Sequence, residues 1–131
     1  MRALTLLLLL AGTLPAATYD CHGVTVLAPN RLAVARAVDE RGMVRTAVEV
    51  TDDGFTPYPV GSPEHKRAVG CLQRFVNKAQ SIRVFVPSGK AQRAGTITGS
   101  VIGVYPCKRP QGYSDYINLA PLMHRHGLHK N

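Results

Sequence analysis

The chain has 131 residues, of which 45% are hydrophobic, and its net charge is +8. This length accommodates one small domain and excludes a second domain of ordinary size. The positive charge favours a polyanion such as RNA, or an anionic membrane surface, as partner, although it also keeps a secreted protein soluble.

The N-terminal residues 1–17 are predicted to be a secretory signal peptide. Arg2 supplies the charge, five consecutive leucines form the apolar part, and small residues form the exit. The apolar stretch is about half of what a bilayer requires, so we expect no retained membrane anchor. The mature domain is expected over residues 18–107. Residues 108–131, rich in proline, glycine and histidine, are expected to form a peripheral, flexible tail.

Apolar periodicity predicts one early helix followed mainly by strands. Val34 and Val38 lie one helical turn apart and Gly42 is a suitable stop, whereas the segments that follow alternate with period two. The fold class is therefore α+β, with one helix packed on a small antiparallel sheet. In chain order we expect a strand over 22–28, a helix over 31–41, a strand over 43–51, a proline-rich loop over 56–63, a short strand over 72–76, and strands over 81–86, 93–98 and 100–105.

The three cysteines beyond the signal are an odd number for an oxidising secretory route. Cys21 and Cys107 lie at the two ends of the expected domain, and a bridge between them would stabilise it by about 4–5 kcal/mol. We predict this pairing, which leaves Cys71 free, although pairings that use Cys71 are the alternatives. Cys71 has apolar neighbours, so it is expected to behave as a small core residue.

The sequence offers little for catalysis or metal binding. His124, His126 and His129 lie in the tail without a paired cysteine motif, so no metal and no cofactor is expected. Before the tail the only histidines are His22 and His65, which limits the supply of acid–base pairs. An apolar setting also raises the pKa of a thiol, which argues against a nucleophilic cysteine.

Several short motifs nevertheless follow one another in a familiar order. Tyr19-Asp20-Cys21 directly follows the predicted signal, and Arg83-Val84-Phe85-Val86, Ala94-Gly95-Thr96-Ile97-Thr98 and Cys107 come later. With these motifs the chain resembles the ribonuclease-like secreted effectors of powdery mildew fungi, which are themselves similar to fungal guanyl-specific ribonucleases. The resemblance implies a ribonuclease-like version of the α+β fold.

Carried over position by position, the resemblance assigns two residues to RNA binding. Tyr58 matches the tyrosine of the enzyme's Tyr-Pro pair, and Arg83 matches its phosphate-binding arginine. The catalytic histidine falls on Gly99, while the catalytic glutamate falls near Gln73, or on Glu64 with another gap placement. The resemblance therefore implies Tyr58 and Arg83 as RNA-binding residues and no catalytic residue.

The expected function is that of a secreted, non-catalytic virulence effector. It would act as a monomer, bind host RNA or a host protein, and be taken up into host cells. The alternative is an active secreted ribonuclease that recruits a histidine from elsewhere, such as His22 or the tail. Membrane action would need an amphipathic cationic helix. Because the helix expected over 31–41 is short and mixes charge with alanine, no membrane partner is predicted.

Overall fold

The computed structural model describes residues 15–106 and 114–130. The structure in these ranges is mostly β, so the predicted arrangement of one helix on a small antiparallel sheet is wrong, and with it the ribonuclease-like fold. In chain order the elements are β1 (Ala17–Ala28), β2 (Arg31–Asp39), β3 (Val44–Asp52), α1 (Pro63–Lys78), β4 (Ser81–Val86), β5 (Thr96–Pro106), β6 (Ser114–Asn118) and α2 (Leu119–Arg125). Neither helix is long and apolar enough to cross a membrane.

Five of the strands close into a barrel. Around it the order is β1, β2, β3, β5, β4 and back to β1, and only the β3–β5 pair is parallel. One edge of β5 pairs with β4. The other edge pairs with two strands, because residues 96–99 bond to β3 and residues 102–106 bond to β6. This strand order, with a helix between the third and fourth strands, is that of the Greek-key OB barrel. The fold alone does not identify a ligand or an activity.

A buried carboxylate completes the closure between β3 and β5. Asp52, at the end of β3, is 1% exposed. Its Oδ2 accepts a hydrogen bond from the backbone N–H of Val101 at 2.9 Å, and its Oδ1 accepts one from Gly54 at 2.8 Å. A buried polar group is costly unless it is paired, and both oxygens of Asp52 are paired. The bond to Val101 fixes the end of β3 against β5, and the bond to Gly54 holds the backbone that directly follows β3.

β2 occupies the segment predicted as the only sizeable helix. Its buried side chains are Leu32, Val34 and Ala37, because Ala35 and Arg36 both face outward and interrupt the alternation. The buried residues are therefore two and then three positions apart, a spacing that in the sequence resembles one face of a helix. Hydrogen bonding on both edges, to β1 and to β3, overrides the helix propensity of alanine and arginine.

The long helix is instead α1, which begins at the last residue of the predicted proline-rich loop and contains the strand predicted over 72–76. The Ser62 hydroxyl caps it by accepting a hydrogen bond from the backbone N–H of His65 at 3.1 Å, and Pro63 follows in the first turn. The strand predicted over 72–76 is therefore wrong. The buried residues of α1 recur at helical spacing and pack on the barrel: Ala68, Cys71, Leu72 and Phe75.

Part of the predicted peripheral tail belongs to the core. β6 pairs with β5, and α2 follows directly with Leu119 and Met123 both 0% exposed. Beyond α2, Leu128 is buried and the backbone N–H of Lys130 donates to the carbonyl oxygen of Thr56 at 2.6 Å. Residues 114–130 are therefore integrated into the domain.

Candidate functional site

Arg83, predicted to bind RNA, lies on β4 with its charge already matched. Its Nε donates to Oδ1 of Asp20, which is its register partner on β1, at 3.0 Å. The guanidinium carbon also lies 5.6 Å from the ring centroid of Tyr116 on β6. Both partners of the ion pair are partly exposed, so its contribution to stability is small. These contacts give Arg83 a structural role as well, in an ion pair that links β4 to β1.

Tyr58, the second residue predicted to bind RNA, lies in the loop between β3 and α1 and is half-buried. Arg83 has its described contacts with β1 and β6, and no hydrogen bond within the described residues joins it to Tyr58. The two residues are thus held by different parts of the chain. Their assignment to RNA binding stays a prediction.

The positions aligned with catalytic residues do not converge. Gly99 is buried in β5, and a Cβ there would collide with the carbonyl oxygen of Phe85, so no side chain is accommodated at the position aligned with the histidine. Gln73 is exposed on α1, where its amide donates to Oδ1 of Asn77 at 2.9 Å. Glu64 lies at the opposite end of the same helix, in its first turn.

The predicted disulfide involves one residue outside the described ranges, Cys107, so the Cys21–Cys107 pairing stays a prediction. Cys21 and Cys71 are both buried thiols and are not bonded to each other. Burial, together with the charge of Asp20, raises the pKa of the Cys21 thiol to about 12. Burial also raises the pKa of Cys71, partly offset by Arg74. Both thiols are therefore poor nucleophiles at neutral pH.

The tail histidines do not form a metal centre in the structure. The rings of His124 and His129 lie in contact, with centroids 3.6 Å apart and their planes tilted by 51°. Within residues 15–106 and 114–130 no three histidine, cysteine or acidic side chains are arranged to hold a metal ion.

The outer face of β2 and β3, where OB barrels commonly bind oligonucleotides, lacks the groups for that task. These strands carry no aromatic residue on which a base could stack. The groove there, about 490 Å³, is lined mostly by small and aliphatic residues. Arg31 at its edge is paired with Glu49 at 3.0 Å, and Arg45 donates to the carbonyl oxygen of Arg93 at 3.2 Å.

A sizeable cavity lies between α1 and the segment that follows α2. Its volume is about 740 Å³, which is within the range of small-molecule sites. We call it the basic pocket. It is lined by Pro63, Lys66, Arg67, Gly70, Cys71 and Arg74 of α1, and by His126 and Leu128.

Gly70 forms the centre of the α1 wall of the basic pocket. Lys66, Arg67 and Arg74 lie four residues before, three residues before and four residues after it, so all three flank it on one helix face. A Cβ at Gly70 would meet only Nη1 of Arg74, at 3.6 Å. Glycine is unfavourable in a helix interior, so Gly70 does not stabilise α1. Its effect on the pocket is that the absence of a side chain leaves space between the cations.

The charged side chains that line the basic pocket are all positive. None of its lining residues is acidic. The ion pairs formed within the described ranges are Arg31–Glu49, Arg83–Asp20 and Lys90–Asp53, and none uses a cation of the pocket. Three cations and one histidine thus face a cavity without a carboxylate, an arrangement suited to an anion.

Sequence reasoning missed this site because it did not recognise α1. Once Ser62-Pro63-Glu64 is recognised as a helix start, Lys66, Gly70 and Arg74 follow at four-residue spacing on one face. The other wall could not have been inferred, since it depends on the segment after α2 folding back onto α1.

Comparison of the chain with family models, with curated proteins and with solved structures finds no match. The resemblance to ribonuclease-like effectors therefore stays a prediction, without the fold that it implied.

Proposed function

We propose that the protein is a secreted, non-catalytic binding protein that holds a phosphate-bearing anion in the basic pocket, with RNA as the partner class. The observation that carries this proposal is the set of three cations around Gly70, with no carboxylate in the lining.

Phosphate suits these cations better than a single carboxylate does. An arginine guanidinium donates two parallel hydrogen bonds to phosphate oxygens, and lysine adds a point charge. Arg67 and Arg74 lie about two turns apart on the same helix face and both line the pocket, with Lys66 beside Arg67. RNA is the proposed macromolecular source of the phosphate because the whole chain has twice as many basic as acidic residues, 16 against 8.

Binding is favoured over catalysis by the chemistry of the lining. His126 is the only histidine in the lining, and the lining holds no carboxylate to act as its acid–base partner. The pKa of Cys71 is raised by burial, which removes it as a nucleophile. An active ribonuclease would need a second proton-transfer group that the basic pocket does not contain.

The test is equilibrium binding of a fluorescently labelled single-stranded RNA, followed by anisotropy at several salt concentrations. The pocket variant is Arg67→Gln/Arg74→Gln, and the matched control is Arg36→Gln/Arg41→Gln, which removes the same charge from exposed positions elsewhere. We expect the pocket variant to bind about tenfold more weakly at low salt and to reduce the salt slope by about 1.4. The control should change affinity by no more than about twofold.

Equal losses in the two variants would show that RNA responds to net charge alone and would refute the pocket. Absence of RNA binding at low salt would leave a host protein as the expected partner. Arg83→Gln provides a separate arm. If Arg83 contacts RNA as predicted from the sequence, this variant weakens binding, whereas loss of the ion pair with Asp20 alone lowers stability and not affinity.

A further inference from the structure

A second cavity lies on the outer face of the barrel, where β4 and β5 meet the start of α2. Its volume is about 260 Å³. We call it the β4–β5 cavity, and it shares no lining residue with the basic pocket. It is lined by Asp52, Phe85, Ser100, Ile102, Asn118, Ala120 and Pro121.

Phe85 supplies an aromatic wall. It lies on β4 opposite Ser100 of β5, between the buried residues Val84 and Val86, and its own side chain is 38% exposed. A large aromatic group left partly exposed beside a cavity offers a surface on which a planar ligand can stack. Ile102 of β5 and Pro121 of α2 add aliphatic surface.

Two polar groups at the rim are available to a ligand. The Asn118 side chain occupies the position before α2 but makes no capping hydrogen bond, and it is exposed. Ser100 is exposed on β5. The Asp52 carboxylate is already engaged, because its two oxygens accept the backbone N–H groups of Gly54 and Val101. The hydrogen-bonding capacity of the cavity therefore lies in a carboxamide and a hydroxyl.

From this combination we infer that the β4–β5 cavity binds a nucleobase, stacked on Phe85 and hydrogen-bonded along its edge by Asn118 and Ser100. A carboxamide presents one donor and one acceptor side by side, which matches adenine N7 and N6. Stacking on an aromatic ring accepts any base, so the hydrogen bonds decide the preference and we expect adenine first. No cation lines the cavity, so the cavity offers no partner for a negatively charged part of the ligand.

The experiment uses nucleosides, which carry no phosphate and so do not depend on the basic pocket. The isotope-labelled protein is titrated with adenosine, cytidine and uridine, with ribose and cyclohexanol as controls for the sugar and for a non-aromatic apolar ligand. Amide shift changes are followed at Ser100, Ile102 and Asn118. We expect saturable changes with the nucleosides, strongest with adenosine, and none with ribose or cyclohexanol.

Two variants test the separate parts of the site. Phe85→Leu should weaken adenosine tenfold or more, while Tyr116→Leu, another exposed aromatic that does not line the cavity, should not. Asn118→Ala should reduce the preference for adenosine over uridine without loss of stability, because its side chain makes no capping bond.

Three results would overturn the inference. Binding of cyclohexanol as strong as that of adenosine would show an apolar cavity without base recognition. Adenosine affinity unchanged in Phe85→Leu would exclude stacking there. Loss of adenosine binding in Arg67→Gln/Arg74→Gln would place the nucleoside in the basic pocket. That double variant also separates the two proposals. If the protein does not bind RNA, the nucleoside test of the β4–β5 cavity can still succeed, and if nucleosides do not bind, the RNA test of the basic pocket can still succeed.

Discussion

Filling the space at Gly70 should make the protein more stable and a poorer binder. Glycine in a helix interior is about 0.8–1 kcal/mol less favourable than alanine. A Cβ at Gly70 would meet only Nη1 of Arg74 at 3.6 Å, an ordinary contact, so nothing offsets this gain. We therefore expect Gly70→Ala to raise the unfolding free energy by nearly that amount, or the midpoint of thermal unfolding by about 3–5 °C.

Gly70→Leu extends the same substitution into the basic pocket. Leucine is also a good helix former, so the variant should fold. Its side chain would occupy the space between Arg67 and Arg74, and RNA affinity should fall about tenfold without any change in charge. Urea unfolding measures stability and anisotropy measures affinity for the same preparations. Gly70→Ala, which makes a similar gain in helix propensity without a side chain long enough to fill the pocket, is the control for Gly70→Leu.

The results that would refute this reasoning are distinct for the two substitutions. A destabilised Gly70→Ala would mean that the helix requires glycine for packing that the contact at 3.6 Å does not show. Full RNA affinity in a folded Gly70→Leu would mean that the ligand does not enter the basic pocket.

The remaining predictions concern titration, disulfide pairing and catalysis. Burial raises the pKa of Asp52 above 3.8, partly offset by the N–H groups of Val101 and Gly54 and the charge of Lys90. The stabilisation that Asp52 gives the folded state is therefore fully present below pH 3.8 and is lost as the pH rises through the folded-state pKa of this residue. The stability of the wild type relative to Asp52→Asn should fall over that range, and a constant difference would contradict it. Mass mapping of unreduced peptides should show a Cys21–Cys107 crosslink, and one involving Cys71 would rule that pairing out. Purified protein should not cleave RNA above background, so any turnover would revive the alternative of an active ribonuclease.

The strands with regular alternation could be predicted from the sequence, but the closed barrel could not. β4 has an uninterrupted period-two pattern because it keeps one face in the core along its length, and β3 keeps one face in the core from Val48 to Asp52. The parallel pairing of β3 with β5 joins segments far apart in the sequence, with a helix and a strand between them. Nothing local marks such a pairing, so a closed barrel and an open sheet give the same strand pattern.

β2 and α1 were confused because each departs from its expected pattern in one feature. The outward Ala35 and Arg36 give β2 the spacing of a helix. In α1 the apolar spacing is present, but the sequence predicted a proline-rich loop up to residue 63 and a short strand over 72–76, although Pro63 is favourable at a helix start. Because the sequence predicts the helix in the segment of β2, the predicted early helix does not exist in the structure. The basic face of α1 is missed for the same reason, since that segment was not predicted to be helical.

The candidate sites depend on packing that the sequence does not reveal, and α2 is the element shared by both. Asn118 and Pro121 at its start line the β4–β5 cavity, while His126 and Leu128 beyond its end line the basic pocket. Met123 is 0% exposed between them and lines neither cavity. It therefore holds α2 in place without touching either proposed ligand.

Met123→Ala should therefore impair both sites at once. Truncating a fully buried methionine costs about 2–5 kcal/mol of stability, and because Met123 fixes α2, part of that cost appears as loosening of this helix. We expect weaker binding of both RNA and adenosine at a temperature where the variant is still folded, together with faster amide exchange in α2 than in β1. Phe85→Leu and Arg67→Gln/Arg74→Gln, by contrast, should each affect one ligand only. If Met123→Ala lowers stability but leaves both affinities unchanged, then α2 does not position either site, and the walls that it supplies are incidental.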